Sequence, residues 1–227
     1  MKTIKVANLR EFLENLAGEM DAGEWGFRGV PSSDYDLIPS IGRKDVRKKY
    51  DPDLEKQIFE RFRQMAVPFL GMRPDSMITW LALARHHGLP TRLLDWTLSP
   101  LIAAFFATSE RPVKAGIAKT FAIYAYQSSY FHAQAKIDDP FDIVEPFIEV
   151  HTDHQSDRIT AQRGFFTLHK APDQPFREKT MVKFIFPEES RDAVLNEIDF
   201  YGVNESSLFP GLDGIAAYWA WFYRIST

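Results

Sequence analysis

Apolar residues recur at helical spacing in six segments of the chain. The first is a short amphipathic pattern between Asn8, a favourable N-cap, and Gly18, which lies where a helix C-cap is expected. The longest begins at Asp51-Pro52, an aspartate cap followed by a first-turn proline, and predicts about five helical turns. Its predicted buried face carries Leu54, Ile58, Phe62, Met65 and Phe69. The other predicted helices cover residues 76–87, 99–108, 188–200 and approximately 213–223.

Strand-like patterns alternate irregularly with these helices. Residues 24–29, 116–127, 159–169 and 180–186 are predicted strands, and residues 91–97 form a buried strand or an extended turn. Residues 128–157 have the least regular pattern and predict a long loop. Because strands and helices do not alternate as in a doubly wound fold, the sequence predicts one α+β domain over residues 1–227, with a mixed or antiparallel sheet flanked by helices.

Composition narrows the classes of function. The formal net charge is −4, so the chain as a whole does not attract nucleic acid or an anionic membrane, and a bound polyanion needs a local site. The absence of cysteine excludes disulfides and thiolate chemistry. The first residues show neither a signal-peptide pattern nor a membrane-spanning length, which predicts a cytoplasmic protein without membrane partners.

The stretch from Arg85 to Ala107 is the densest group of chemically distinct side chains, and it is the candidate site. It joins two predicted helices, and Ser99-Pro100 is a typical helix start. Asp95, Trp96 and Thr97 either pair with other protein groups or contact a ligand. Thr97 and Ser99 at a helix N-terminus suit an anionic or nucleotide ligand, because free backbone N–H groups lie there.

Several of these residues have alternative roles. Asp95 either pairs with Arg92 or acts on a ligand, and Trp96 either belongs to the core or lines a pocket. Arg28, at the end of a predicted strand, either pairs with a surface carboxylate or grips a phosphate while Gly29 allows a ligand to approach the backbone. The histidines offer a further alternative, a metal-dependent hydrolase, although neighbouring histidines on a helix seldom bind one ion together; they are His86, His87, His132, His151 and His154.

Five motifs together resemble the FRG-domain family of bacterial and phage proteins. They are Phe-Arg-Gly at 27–29, L-I-P-S-I-G-R at 37–43, A-R-H-H-G-L-P-T-R-L-L-D-W-T at 84–97, S-P-L-I-A-A-F-F-A at 99–107 and L-F-P-G-L-D-G at 208–214. The resemblance extends over nearly the whole chain and predicts an FRG domain.

The same motifs are also similar in layout to the ADP-ribosyltransferase fold. That similarity implies an NAD cofactor, with Arg28 on its phosphates or ribose, Trp96 stacked on a planar ring, and Gln162 at the position where those enzymes have a glutamate. A glutamine can hydrogen-bond a ribose hydroxyl but carries no charge for a developing cation. The implied function is a toxin or phage-defence effector that modifies protein or nucleic acid and has a neutralising partner; the alternative is a nucleotide- or partner-binding module without catalysis.

Overall fold

The computed structural model describes residues 1–20, 23–109, 119–128, 137–151 and 157–225, and these residues form seven strands and eight α-helices. The strands are β1 (Lys2–Lys5), β2 (Trp25–Val30), β3 (Leu93–Thr97), β4 (Thr120–Gln127), β5 (Phe147–Val150), β6 (Gly164–His169) and β7 (Val182–Pro187). The helices are α1 (Leu9–Glu19), α2 (Pro52–Ala66), α3 (Met77–His86), α4 (Pro100–Ser109), α5 (Asp157–Ala161), α6 (Arg191–Phe200), α7 (Glu205–Leu208) and α8 (Leu212–Ile225).

All seven strands join one mixed sheet in the order β1-β7-β4-β2-β3-β6-β5. β1 runs parallel to β7, and every other neighbouring pair is antiparallel. The sheet is flanked by helices, which confirms the predicted α+β class. Strand β3 lies between β2 and β6, so the candidate stretch forms a central strand.

Two apolar clusters share one face of this sheet. One contains Phe27 of β2 together with residues of α1, α4 and α6, and the other contains Leu93 of β3 together with residues of α2 and α3. Phe27 pairs with Thr97, and side chains two residues apart on a strand point to the same face. Leu93, Asp95 and Thr97 therefore share the face of Phe27. A third cluster, around Trp96, covers the opposite face.

Most predicted helix starts are confirmed by their caps. The side chains of Asn8, Asp51 and Ser76 accept hydrogen bonds from backbone N–H groups in the first turns of α1, α2 and α3. Gly18 does not end α1, which continues to Glu19. The last predicted helix corresponds to α8 within a few residues.

The predicted buried face of α2 is confirmed only in part, since Phe62 packs against the core but Ile58 and Met65 are exposed. Its fully buried side chains are Glu55 and Phe59, whereas Met65 is 71% exposed. The helix ends at Ala66, and Phe69 lies in a following 3-10 turn with 87% of its surface exposed. The apolar spacing could not predict that Glu55 is buried, because Glu55 lies in the interior as part of an ion pair with Arg92.

Three other segments differ from the pattern-based prediction. The predicted loop 128–157 contains strand β5, and the predicted strand 159–169 is divided into helix α5 and strand β6. Arg163 separates these two with a positive φ of 47°. The predicted turn near 205–214 contains the short helix α7, which is closed by a capping box at Asn204. The N-terminal strand β1 had no clear pattern of its own.

Candidate functional site

The site begins where strands β2 and β3 separate. β2 pairs with β4 along six residues but with β3 only through Phe27 and Thr97. Beyond that pair, a side chain takes the place of a backbone contact, because the Arg28 guanidinium donates a short hydrogen bond to the backbone carbonyl of Asp95. The phenylalanine and arginine of the Phe-Arg-Gly motif therefore join the two strands in different ways.

The Asp95 carboxylate is held by a second arginine at the end of α3. Arg85 donates from Nη2 to Oδ2 at 2.6 Å and from Nε to the same oxygen at 3.1 Å. Arg28 Nη1 lies 3.4 Å from this oxygen. Arg85 also donates from Nη1 to the Ser40 hydroxyl at 2.7 Å, and Ser40 accepts from the backbone N–H of Thr91 at 3.1 Å. The loop before α2 is thereby tied to the site.

Burial and neighbouring charges set the protonation of this cluster. Burial lowers the pKa of Arg28 to about 10, Asp95 opposes that shift, and Arg85 and Arg43 reinforce it. Burial by itself raises the pKa of Asp95, but the charges and hydrogen bonds of Arg85 and Arg28 have the larger effect. The pKa of Asp95 is therefore held well below its ordinary value. At neutral pH, an ionised carboxylate therefore contacts two positive arginines, Arg28 and Arg85, and Arg43 adds a further positive charge near Arg28.

The cluster is open to solvent on one side. The Asp95 side chain is 43% exposed, whereas those of Arg28 and Arg85 are 15% and 20% exposed. Arg43 is half-buried and donates to the carbonyl of Ile38 at 2.9 Å. These four residues, called here the arginine cluster (Arg28, Arg43, Arg85 and Asp95), carry an excess of two positive charges in a chain whose net charge is −4.

Arg92 does not pair with Asp95, contrary to one of the expected arrangements. Its guanidinium is buried and forms an ion pair with Glu55, donating from Nη2 to Oε2 at 2.7 Å and from Nε to Oε1 at 3.1 Å. It also donates to the Tyr50 hydroxyl and to the carbonyl of Pro140, and it lies over the Phe141 ring. With both side chains 3% exposed, this pair belongs to the interior and not to the cluster.

Trp96 lies in the core beneath the site. Its ring is 3% exposed and contacts Tyr126 and Phe176 edge-on, and its Nε1 donates to the Thr167 hydroxyl at 3.0 Å. The expected stacking on a ligand ring does not fit this position, because the indole is enclosed by protein groups.

The hydroxyls after β3 hold local structure. Thr97 Oγ1 donates to the backbone carbonyl of Gln162 at 2.7 Å and accepts from the backbone N–H of Ser99. Ser99 Oγ accepts from the N–H of Ile102 and caps α4, as its position predicts. Both residues fix the turn between β3 and α4.

Gly29 is required by packing between a strand and a helix. A Cβ at this position would overlap the carbonyl oxygen of Ala103 in α4. The close approach expected for a ligand is therefore made by the backbone of α4. This contact brings α4 directly onto β2, beside Arg28.

Gln162 contacts the end of strand β3 at Thr97. It follows α5 and does not lie on a strand, and its side-chain amide donates to the carbonyl of Leu208 at 3.2 Å. Its own carbonyl contacts Thr97, which lies two residues, or about 7 Å, from Asp95 along β3. Gln162 therefore lies beside Thr97 at the end of β3, and its amide nitrogen has a protein partner.

Two arginines of the cluster were not singled out as ligand contacts from the sequence. Arg85 and Arg43 are each part of a quoted motif, A-R-H-H-G and L-I-P-S-I-G-R. Their presence in one cluster depends on contacts between segments that are distant in sequence, such as the hydrogen bond from Arg85 to Ser40, and residue spacing does not reveal such contacts.

The metal alternative gains no support from the described part of the chain. His86 and His87 lie at the end of α3 with ring centroids 5.1 Å apart, and their planes are nearly perpendicular. His132 and His154 fall outside the described residues, and His151 stacks on Phe165. Within the described ranges, no group of three histidine, aspartate or glutamate residues is arranged to hold a metal ion.

These features define an α+β protein with a basic, partly exposed cluster at a separation between two central strands. Residues 23–115 match the family model of the FRG domain, and this segment contains the whole arginine cluster. This segment of the chain is therefore an FRG domain. Comparison with curated proteins and comparison with solved structures gave no significant match, so the ADP-ribosyltransferase similarity stays a hypothesis. Among the described helices, none has both the length and the apolar character of a membrane span.

Proposed function

We propose that the FRG domain binds a phosphate-bearing nucleotide, with NAD as the first candidate, at the arginine cluster. The observation that carries this proposal is the excess of positive charge around a partly exposed carboxylate. The guanidinium fork matches phosphate oxygens and can form two parallel hydrogen bonds with them. A ligand of this class would match the net positive charge of these four residues.

The Asp95 carboxylate would bind the ribose of the same ligand. An ionised Asp95 can accept hydrogen bonds from ribose hydroxyls, while Arg28 and Arg43 contact the neighbouring phosphates. Because the arginines lower the pKa of Asp95, its acceptor form is maintained across the physiological pH range. Arg85 orients Asp95 through a contact with two nitrogens and therefore acts as a positioning residue.

An ADP-ribosyl transfer at this site would break the bond between nicotinamide and ribose and form a bond from the ribose to an acceptor nucleophile, which loses a proton. In this version Asp95 supplies the negative charge near the developing cation, and Gln162 hydrogen-bonds a ribose hydroxyl through its side-chain oxygen. The acceptor is a protein or a nucleic acid. A toxin or phage-defence effector with a neutralising partner is the biological role that this chemistry would serve.

A nucleotide-binding module without catalysis is the second candidate. The specific observation in its favour is that Asp95 is already paired with two arginines, while the Gln162 amide nitrogen is bound to Leu208. Asp95 and Gln162, the two residues that would contact the ribose, therefore already have partners within the protein.

Calorimetric titration with NAD, ADP-ribose and ADP tests the binding site common to both candidates. Replacing Arg28 or Arg43 by glutamine should weaken binding about tenfold or more, because one charge-assisted hydrogen bond to phosphate is lost. Arg177→Gln is the matched control, since that arginine forms an exposed pair with Asp36 away from the cluster. Equal affinities of the cluster variants and the control would contradict the site.

Nicotinamide release in the presence of protein and RNA acceptors distinguishes the two candidates. Catalysis predicts release by the wild type and its loss in Asp95→Asn, with NAD binding largely retained. Binding without any release by the wild type supports the module. Absence of both binding and release contradicts the proposed function.

A further inference from the structure

A run of basic residues leads away from the arginine cluster along the loop before α2. Residues 43–49 read R-K-D-V-R-K-K, so five of the seven are basic and one, Asp45, is acidic. We call these seven residues the basic segment. Its formal charge is +4, whereas that of the whole chain is −4. A chain with an acidic total therefore concentrates positive charge beside its candidate site.

The basic segment is continuous with the arginine cluster through Arg43. The charge of Arg43 contributes to lowering the pKa of Arg28, so these two guanidinium groups lie near each other. Arg43 is held by the hydrogen bond from its Nε to the carbonyl of Ile38 at 2.9 Å. Lys44 is the next residue, and the lysines therefore begin at the edge of the cluster.

Both ends of the basic segment are fixed to the rest of the fold. Before the segment, the Ser40 hydroxyl accepts a hydrogen bond from Arg85 Nη1 at 2.7 Å. After the segment, the Tyr50 hydroxyl accepts a hydrogen bond from the buried Arg92 Nη2 at 3.0 Å. The backbone of the segment therefore has a defined position relative to the arginine cluster.

Arg47 stabilises the basic segment from within and leaves the lysines open. Its backbone N–H donates to the carbonyl of Arg43 at 3.1 Å, which closes one helical turn. Its side chain donates from Nε to the carbonyl of Lys49 at 2.9 Å and lies 3.4 Å from Asp51. Three lysines are exposed and have no ion-pair partner within the described ranges, and they are Lys44, Lys48 and Lys49.

These three lysines suit the phosphate backbone of a nucleic acid. Lysine binds phosphate as a point charge, and a strand with one phosphate per nucleotide contacts several lysines at once while it releases counterions. Val46 is the only apolar residue of the basic segment. The segment therefore offers little to the buried apolar and aromatic anchors that dominate contacts between proteins.

The coverage of the arginine cluster favours a single strand over a duplex or a membrane. The side chains of Arg28 and Arg85 are 15% and 20% exposed, whereas the lysines of the basic segment are exposed. A flat bilayer or a rigid duplex that lies on the lysines does not reach groups that are covered to this degree. A nucleotide of a single strand is not held in a base pair and can turn towards them.

We propose that the basic segment binds a single-stranded nucleic acid, which is the acceptor for the nucleotide at the arginine cluster. The acceptor role rests on the proposed function, whereas binding of the strand depends on the basic segment alone. In the transfer, the bond between nicotinamide and ribose breaks and nicotinamide leaves. A base nitrogen or sugar hydroxyl of the strand forms the new bond to the ribose and releases its proton to solvent.

Fluorescence anisotropy with labelled single strands of RNA and DNA of about 12 nucleotides tests the surface. The wild type should bind at least one of them with a dissociation constant of about 1–100 μM. Replacing all three lysines of the basic segment by glutamine should weaken binding at least about tenfold. The slope of log K against log salt should fall by about 2, since each phosphate contact on a single strand contributes about 0.7.

The matched control is a second triple variant, in which three exposed lysines outside the basic segment are replaced by glutamine: Lys5, Lys119 and Lys179. This variant should bind the strand as the wild type does. Far-ultraviolet circular dichroism checks that both triple variants are folded. A wild type that binds neither strand, or equal weakening in both triple variants, would overturn the proposal.

Competition by other polyanions tests the class of partner. Duplex DNA, polyglutamate and vesicles of anionic lipid are each added to the complex with the labelled single strand. At equal total charge, all three should displace it less effectively than the unlabelled single strand does. Equal or better competition by any of them would overturn a single-stranded nucleic acid as the partner.

Titration with NAD separates this proposal from the nucleotide site. The triple lysine variant of the basic segment should keep the NAD affinity of the wild type, because these lysines lie outside the arginine cluster. NAD binding without nucleic-acid binding overturns the role of the basic segment and leaves the nucleotide site standing. Nucleic-acid binding without NAD binding supports the surface and contradicts the nucleotide site. With both bound, a strand whose mass does not increase by one ADP-ribose overturns the acceptor role.

Discussion

Two arginines only seven residues apart in sequence have carboxylate partners in very different surroundings. Arg85 pairs with Asp95, which is 43% exposed, whereas Arg92 pairs with Glu55 in the interior. Exposed ion pairs contribute little to stability because water screens them, but the loss of one partner of a buried pair leaves an uncompensated charge. The first pair is therefore partly open to solvent, and the second supports the fold.

The Arg92→Ala substitution should lower the free energy of unfolding by about 3–5 kcal/mol, since it leaves the Glu55 charge buried without its partner. Arg177→Ala removes an exposed pair and should cost less than about 1 kcal/mol. Urea denaturation of both variants measures the difference. A similar small loss in both would show that the Glu55 pair does not support the interior.

His169 is a second interior residue whose charge state is set by its surroundings. Burial, followed by the charges of Arg28 and Arg92, lowers the pKa of His169 to about 4. Its Nε2 lies 2.8 Å from the Thr167 hydroxyl, which also accepts from Trp96. The folded protein therefore keeps this imidazole neutral at pH values where an unfolded chain would protonate it.

Stability should fall on acidification because of His169. Between pH 6.5 and pH 4 the unfolded state binds a proton at this histidine and the folded state does not, so this residue contributes a loss of about 3 kcal/mol as the pH decreases through that window. His169→Gln keeps a hydrogen-bonding group and removes the titration. Urea denaturation at several pH values should show a flatter curve for the variant. Parallel curves for variant and wild type would contradict a neutral buried imidazole.

At the scale of elements, the contact between β2 and α4 places the arginine cluster. Gly29 allows the backbone of α4 to lie directly on β2, while the preceding residue in the motif, Arg28, bridges to β3. Arg191 reinforces this junction, since it is 1% exposed and donates to the carbonyls of Ala107 at the end of α4 and of Pro31 after β2. The Phe-Arg-Gly motif thus joins two strands and a helix.

Gly29→Ala should lower the free energy of unfolding by about 2–3 kcal/mol, because the added methyl overlaps the Ala103 carbonyl and forces α4 away from β2. Gly18→Ala is the matched control. Gly18 lies within α1, and nothing lies within 4 Å of its Cβ position, so alanine should be neutral or stabilise by about 0.5–1 kcal/mol. Thermal unfolding of the two variants compares them. A tolerated Gly29→Ala would contradict the packing role.

The ends and buried faces of the helices show which features a local sequence pattern can predict. The caps at Asn8, Asp51 and Ser76 were predictable because a cap uses atoms only three residues apart. The burial of Glu55 on α2 was not, because it depends on Arg92, which is distant in sequence. Local spacing also could not divide residues 159–169 into α5 and β6.

At the scale of the whole molecule, the arginine cluster and the last helix lie in different parts of the fold. The arginine cluster lies where β2 and β3 part, and no described residue of α8 belongs to the three core clusters. The seven-stranded sheet therefore supports the arginine cluster without any contribution from α8 to the clusters that pack on it.

The sequence by itself determined the α+β class and most of the helices, because these follow from local periodicity and capping, and its motifs made Arg28 and Asp95 candidates for a site. Only the tertiary structure decided the partners of each charge. Arg85 and not Arg92 holds Asp95, Trp96 lies in the core, and Gly29 contacts a helix. The physical reason is that ion pairing and close packing depend on which segments meet in space, and strand pairing brings together residues that are far apart along the chain.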